Sequence, residues 1–335
     1  MKQTITTIGE ALIDFIPEQR DCPLKEVTTF YRVCGGAPTN VAAAIGKLGG
    51  KARMITQVGN DAFGDYIVDQ LEKCGIDTES IYRTDAANTA LAFVSLKTDG
   101  NRDFSFYRKP SADMLMEPEQ LQPAWLEDTA VLHFGSVSLV ESPMKQTHVR
   151  AIQLAKEQGA VISFDPNIRP PLFPSAEACQ AAVREFLPYV DLLKVSDEEL
   201  EFVTGETDIQ KAAPLLFEQG CKMILYSKGK QGAMLLTPQV VCTEPNPKVK
   251  VKDTTGAGDA ICGAFLYCLG KNGITPENLN QQPAGKLQKW LRYAVYYANY
   301  SVTGSGAITS YPDDETFQRW LRTFDSFIAV RKNEL

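Results

Sequence analysis

The chain has 335 residues, with 34 Lys and Arg against 41 Asp and Glu, for a formal net charge of −7. Hydrophobic residues at 44% and charged residues at 22% exclude wholesale disorder, and the acidic balance excludes the basic footprint of a nucleic-acid binder. No apolar run reaches the length of a membrane span, and Glu10 and Asp14 interrupt the opening pattern that a signal peptide would need, so a cytoplasmic protein is expected. In chain order, an opening strand leads into an extended, polar-alternating stretch over residues 11–33. A small-residue helix follows and ends at Gly49-Gly50. Strand 52–58 and helix 63–74 come next. Segments 91–97 and 102–108 then alternate about the turn Thr98-Asp99-Gly100-Asn101, a strong hairpin signal. A hairpin alone cannot bury its apolar face, so it belongs to a small projecting sheet that covers a site or pairs with another subunit. Strands at 130–134, 161–164, 192–195 and 223–226 then alternate with helices at 144–158, 177–186 and 209–218. Gly75, Gly159, Gly205 and Gly220 stand where helices stop. This rhythm predicts a parallel sheet flanked by helices.

Eight scattered cysteines without Cys-x-x-Cys spacing, and only His133 and His148, argue against a zinc site or a disulfide framework. Most of these thiols are expected to be buried, and His133 within Val131-Leu132-His133-Phe134 reads as a core histidine. Trp290, Tyr293, Tyr296 and Tyr297 at helical spacing read as packing.

Two stretches carry chemistry. Asp253-Thr254-Thr255-Gly256-Ala257-Gly258-Asp259 is a polar loop that becomes a small-residue helix at about Ala257. A helix start offers unpaired N–H groups and partial positive charge, and glycines let a phosphate approach the backbone. With Asp259 in the first turn, an anion cradle sits beside an acceptor carboxylate, which suits phosphoryl transfer to a hydroxyl. Taken alone, the stretch equally fits a helix start stabilised by an acidic residue. Neither a P-loop nor Gly-x-Gly-x-x-Gly is present. The second stretch, Gly35-Gly36-Ala37-Pro38-Thr39-Asn40, opens the first helix. Asn40 there can serve a diol or act as a cap, and Asp14 is a carboxylate in apolar surroundings that would suit sugar hydroxyls.

Together, in this order and at this separation, the two stretches resemble the paired signatures of the ribokinase-like (pfkB) carbohydrate kinases, over nearly the whole chain. Residues 99–108, followed by Pro110-Ser111-Ala112-Asp113-Met114-Leu115, resemble the fructokinases of that family, as does Val195-Ser196-Asp197-Glu198-Glu199. The resemblance implies one α/β domain over residues 1–335. Its fold would be a three-layer α/β/α sandwich with a mainly parallel sheet and a β-sheet lid from about residues 11–34 and 89–113.

The implied reaction moves the γ-phosphoryl group of ATP, with Mg²⁺, to the 6-hydroxyl of fructose. Asp259 would be the base, and Gly256, Ala257 and Gly258 the anion hole. Asp14, Gly35, Gly36, Asn40, Phe106, Arg108 and Arg169 would hold the sugar, and Ser196, Ser227, Gly229 and Gly232 the nucleotide. Glu199 would organise Mg²⁺ through water, and Ser196 stands where many relatives carry asparagine. Asp253, Thr255, Gly306 and Ser310 fall at a monovalent-cation site that would take K⁺. Tyr107, alternating with Phe106 and Arg108, is expected outside the pocket, and the lid would pair two subunits into a homodimer. Kinases of the same family for 2-keto-3-deoxygluconate or ribose are the alternatives, the former because Arg108 and Arg169 could grip a carboxylate. A catalytically weak sugar-binding protein is the alternative outside enzymes.

Overall fold

The computed structural model describes residues 2–19, 21–96 and 102–324. The chain opens with β1 (Thr4–Ile8), then β2 (Leu12–Pro17) and β3 (Phe30–Gly35), with a 3₁₀ turn at Leu24–Glu26 between the latter two. Next come α1 (Ala37–Lys47), β4 (Ala52–Gly59), α2 (Ala62–Lys73), β5 (Ile76–Asp77), β6 (Ile81–Thr84), β7 (Ala90–Leu96) and β8 (Arg102–Tyr107). The alternation then runs β9 (Thr129–Gly135), α3 (Pro143–Glu157), β10 (Val161–Asp165), α4 (Ala176–Phe186) and β11 (Leu192–Ser196). It continues through α5 (Leu200–Thr204), α6 (Ile209–Glu218) and β12 (Met223–Ser227). The chain closes with β13 (Ala233–Leu236), β14 (Val241–Glu244), α7 (Ala257–Lys271), α8 (Ala284–Ser301) and α9 (Asp314–Leu321).

Local chemistry sets these boundaries. Asp61, Ser175 and Asp208 cap α2, α4 and α6 by accepting from backbone N–H groups of the first turn. Gly75, Gly159, Gly205 and Gly220, the expected stops, all have positive φ. The predicted turn 98–101 lies outside the described residues, but the strands on either side of it pair antiparallel from Leu91↔Tyr107 to Leu96↔Arg102.

The main sheet has the order β14-β13-β12-β11-β10-β9-β1-β4-β5, with β6 also on β4. It is parallel from β12 to β5, and β13 and β14 extend it antiparallel. On one face α1, α7 and α8 bury Ile45, Phe265, Trp290 and Tyr297, and on the other α3, α4 and α6 bury Ile152, Val183 and Leu216. This is the expected three-layer α/β/α sandwich. His133 is a core residue as expected, 3.0 Å from Ser163 Oγ, and burial pushes its pKa down to about 3. Seven of the eight cysteines are buried. Among the described residues no helix is long and apolar enough to cross a membrane.

A second sheet, β3-β2-β7-β8, is built from the two expected lid segments. The order of the main sheet reverses between β1 and β9: the chain first moves outward to β4 and β5, then returns to β9 and proceeds the other way. In open α/β sheets such a reversal opens a crevice at the carboxyl ends of the strands.

Candidate active site

Two helices begin at that crevice. Gly36 caps α1 with φ 105°, and Gly256 caps α7 with φ 74°, conformations that side chains with a Cβ resist. A Cβ on Gly256 would also stand 2.5 Å from Ala307 Cβ, so both backbone angle and space demand glycine. The helices cross closely because Gly263 has no side chain; a Cβ there would meet Ala44 Cβ at 2.7 Å and Val41 O at 2.9 Å. Their first turns therefore converge, and Asn40 Nδ2 donates to Asp259 Oδ2 at 2.8 Å. Asn40 Oδ1 is buried with no hydrogen-bond partner among the described residues. A buried acceptor left open costs free energy, and an acceptor of this kind can be satisfied by a hydroxyl donor.

The first intrahelical bond of α7 runs from Ala260 N to Gly256 O at 2.8 Å. The Ala257 amide is taken by Thr254 O (3.2 Å) in the tight turn that precedes the helix. This modifies the expectation for the Gly256–Gly258 amides: the open donors start at Gly258 and Asp259 rather than at Ala257.

One pocket joins Asp259, Gly258, Gly256 and Thr255 with Arg169, Ser196 and Glu199. Burial raises the Asp259 pKa above the ordinary aspartate value, against the bond from Asn40 and the charges of Lys194 and Arg169. A raised pKa makes a carboxylate a better proton acceptor. Glu199 accepts from Ser196 N (3.0 Å), Ser196 Oγ (2.7 Å) and Ile168 N (2.9 Å). Burial works against its charge, but Lys194 and these bonds prevail and hold its pKa below the ordinary glutamate value. Both Glu199 oxygens thus keep protein donors, and Ser196 supports the carboxylate through both its amide and its hydroxyl.

Lys194 and Asp165 were not singled out from sequence. Lys194 Nζ lies 3.0 Å from Asp165 Oδ2 and 4.0 Å from Glu199 Oε2, and both Lys194 and Asp165 line the same pocket. Burial disfavours the ammonium, but Asp165 and Glu199 more than offset it and hold the lysine pKa above its ordinary value. The available signal was a lysine inside the apolar strand Leu192-Leu193-Lys194-Val195.

The lid places Asp14 opposite Ala92, and Ala92 opposite Phe106, so the carboxylate and the ring share a sheet face with only a methyl between them. A Cβ on Gly35 would collide with the Asp14 carboxylate, so glycine makes its room. Tyr107, 63% exposed, points the other way as expected and packs edge-on against Phe93. Arg108 requires a correction. Its side chain is buried, Nε and Nη2 both donate to the buried Asp113, and Nη1 donates to Val137 O at 3.2 Å. The fork expected to grip substrate is occupied by a structural carboxylate from the Pro110–Asp113 segment. A further residue without a predicted role, Glu10, is buried at the root of the lid, where it accepts from Ala37 N and from Ser138 Oγ, each at 3.0 Å.

The description "pfkB family carbohydrate kinase" matches residues 2–314. The chain belongs to that family. Fructokinase-2 of Solanum lycopersicum is 39% identical over 309 residues, covering 92% of this chain and 93% of its own. Fructokinase-1 of Zea mays is 38% identical over 314 residues, covering 93% and 96%. Among solved structures, the fructokinase with bound ATP from Xylella fastidiosa has a TM-score of 0.88 at 32% identity, covering 96% of this chain and 99% of that one.

In this pfkB kinase the expected nucleotide residues lie at one sheet end. Ser196 and Ser227 are register partners at the last positions of β11 and β12. Gly229 and Gly232 flank the turn that follows, both with positive φ, and a Cβ on Gly232 would collide with Glu244 O. The expected cation residues also meet. Asp253 accepts from Thr255 Oγ1 (2.6 Å) and from Gly306 N (2.9 Å), while Ser310 Oγ donates to Ala307 O (2.8 Å) in the adjoining turn.

Proposed function

We propose that this pfkB kinase is an ATP-dependent fructokinase that phosphorylates the 6-hydroxyl of D-fructose. The observation that carries the reading is the Asn40–Asp259 contact at two converging helix starts, with Asn40 Oδ1 open beside the base. In this reading the sugar lies between the lid and α1, with hydroxyls on Asp14, Asn40 and the backbone at Gly35 and Gly36, and with Phe106 above it. Asp259 takes the proton of the 6-hydroxyl, and the turn at Gly256–Gly258 receives the transferring phosphoryl group. Arg169 faces Asp259 across the pocket and reaches sugar or phosphate oxygens. The nucleotide runs along Ser196, Ser227, Gly229 and Gly232.

Mg²⁺ binds phosphate oxygens, water and one or two carboxylates, and the ionised Glu199 fits such a water-mediated role. When bound with ATP it neutralises phosphate charge. Asp253, Thr255, Gly306 and Ser310 would surround K⁺. The lid, with Tyr31 and Tyr107 exposed on it, would join two copies into a homodimer.

The Arg108–Asp113 pair weighs against 2-keto-3-deoxygluconate, because it removes one of the two arginines proposed to clamp that acid. A coupled assay of ADP release with fructose, 2-keto-3-deoxygluconate, ribose, glucose and mannose tests the assignment. Fructose is expected to give the highest kcat/KM, and a tenfold preference for another sugar would transfer the assignment to that sugar.

A further inference from the structure

Lys194 occupies the middle of a strand covered on both faces, where an apolar residue would pack at no electrostatic cost. A buried ion pair of this kind contributes little or nothing to stability compared with apolar residues of similar volume. Packing therefore does not account for the Lys194–Asp165 pair. Its position does offer an account. A Cβ on Gly258 would stand 3.3 Å from Lys194 Nζ, so the ammonium lies against the first turn of α7 at Gly258. Glycine at 258 thus removes the one side chain that would separate this charge from an anion at the helix start. The same pocket holds Asp259, and the ammonium contributes to the electrostatics of that carboxylate. Of the three donors on the ammonium, Asp165 engages Nζ through both oxygens, at 3.0 and 3.2 Å.

We propose that Lys194 is a further catalytic residue of the phosphoryl transfer, whose ammonium contacts the transferring group at the mouth of the α7 anion hole, while Asp165 holds it in place between turnovers. This rests on the phosphoryl-transfer reading above. In the step, the 6-hydroxyl gives its proton to Asp259 and its oxygen forms the new bond to Pγ. The bond from Pγ to the bridging oxygen breaks, and its electron pair leaves on ADP. Lys194 stays protonated throughout, stabilising charge on the equatorial phosphoryl oxygens as they pass the amides.

The test compares wild type, Lys194→Met, Asp165→Asn and the double variant for kcat, fructose KM, thermal melting and binding of ADP with aluminium fluoride and fructose. Lys194→Met strands the Asp165 carboxylate, so the decisive comparison is Asp165→Asn against Asp165→Asn/Lys194→Met, in which the Asp165 charge is gone and Glu199, which loses the ammonium at 4.0 Å, keeps its donors from Ser196 and Ile168. Removing the lysine in that background is expected to lower kcat by about 100-fold or more, as for the loss of one oxyanion-hole donor. Fructose KM should stay within threefold, and the aluminium fluoride complex should weaken in parallel with kcat. A loss of kcat under threefold in that background, or unchanged binding of the aluminium fluoride complex, would overturn the assignment and leave Lys194 as a partner for Asp165 alone. A wild type inactive toward every sugar tested would overturn the kinase reading and this one together. An active wild type with no lysine effect overturns only this one.

Discussion

Replacing Asp259 by Asn separates the two consequences of its position. Asparagine keeps the size of the side chain, and its carbonyl oxygen still accepts from Asn40 Nδ2, now 2.8 Å from Asp259 Oδ2, so the α1–α7 junction is preserved. It cannot take a proton from the sugar hydroxyl. Loss of a general base costs about two to four decades in kcat, equivalent to roughly 2.7–5.5 kcal/mol at 1.36 kcal/mol per decade. Stability should move the opposite way. Burial raises the Asp259 pKa in the folded state above that of the unfolded chain, so the folded protein binds this proton more tightly. At pH 7, above the unfolded value, the ionised carboxylate therefore opposes folding, and stability improves as pH falls through the raised pKa. Neutral asparagine removes that penalty at every pH. The expected result is a kcat lower by 100- to 10,000-fold, a fructose dissociation constant within about fivefold, and a melting temperature equal to or above wild type. Steady-state kinetics, equilibrium titration of fructose and a thermal melt measure the three. More than a tenth of wild-type kcat, or a marked fall in melting temperature, would refute the assignment of Asp259 as a buried base with a raised pKa.

Arg108→Met should act on folding before it acts on substrate, because it leaves Asp113 buried and charged without its partner; a loss of about 3–5 kcal/mol in chemical denaturation is expected. Wild-type stability with a raised fructose KM would instead restore Arg108 to the sugar pocket. Gly258→Val should fold, since the nearest obstacle is only the end of the Lys194 side chain, yet lose turnover by closing the anion hole; thermal melting and kcat decide between the two. Asn40→Ala removes both the bond to Asp259 and the open acceptor, so fructose KM should rise about tenfold with a smaller fall in kcat, and an unchanged KM would remove Asn40 from the sugar site.

Five of the parallel strands and four of the helices were legible to within a residue, because buried strands read as apolar runs and the stops were glycines that the backbone does hold at positive φ, whereas the short β5 and β6 were not read. The lid was legible for a different reason: alternation over segments 91–97 and 102–108 had to mean a sheet with its own face to cover. Asp259 and its loop were legible because glycine spacing and a helix start act locally. What stayed hidden depends on partners that strand and helix periodicity does not bring together. Arg108 could be placed on a strand but not in the company of Asp113, which is only five residues away yet meets it through the irregular segment that follows β8. Lys194 read as one polar residue in an apolar strand, and its pairing with Asp165 across β10 and β11 required the sheet order. Glu10 was informative in sequence only as a charge that broke an apolar run, although it anchors the start of α1.

The missing side chain at Gly263 sets a mechanical tolerance for the chemistry. Asn40 and Asp259 meet one turn away from the point where α1 and α7 touch, so the distance between helix axes there fixes the length of the hydrogen bond at the reacting end. One added methyl group at position 263 would act as a wedge, prising the base from its neighbour although it lies on the far side from any substrate. The gauge of this site is therefore cut into the packing of two helices, and the reacting atoms inherit their spacing from a volume of carbon that is absent.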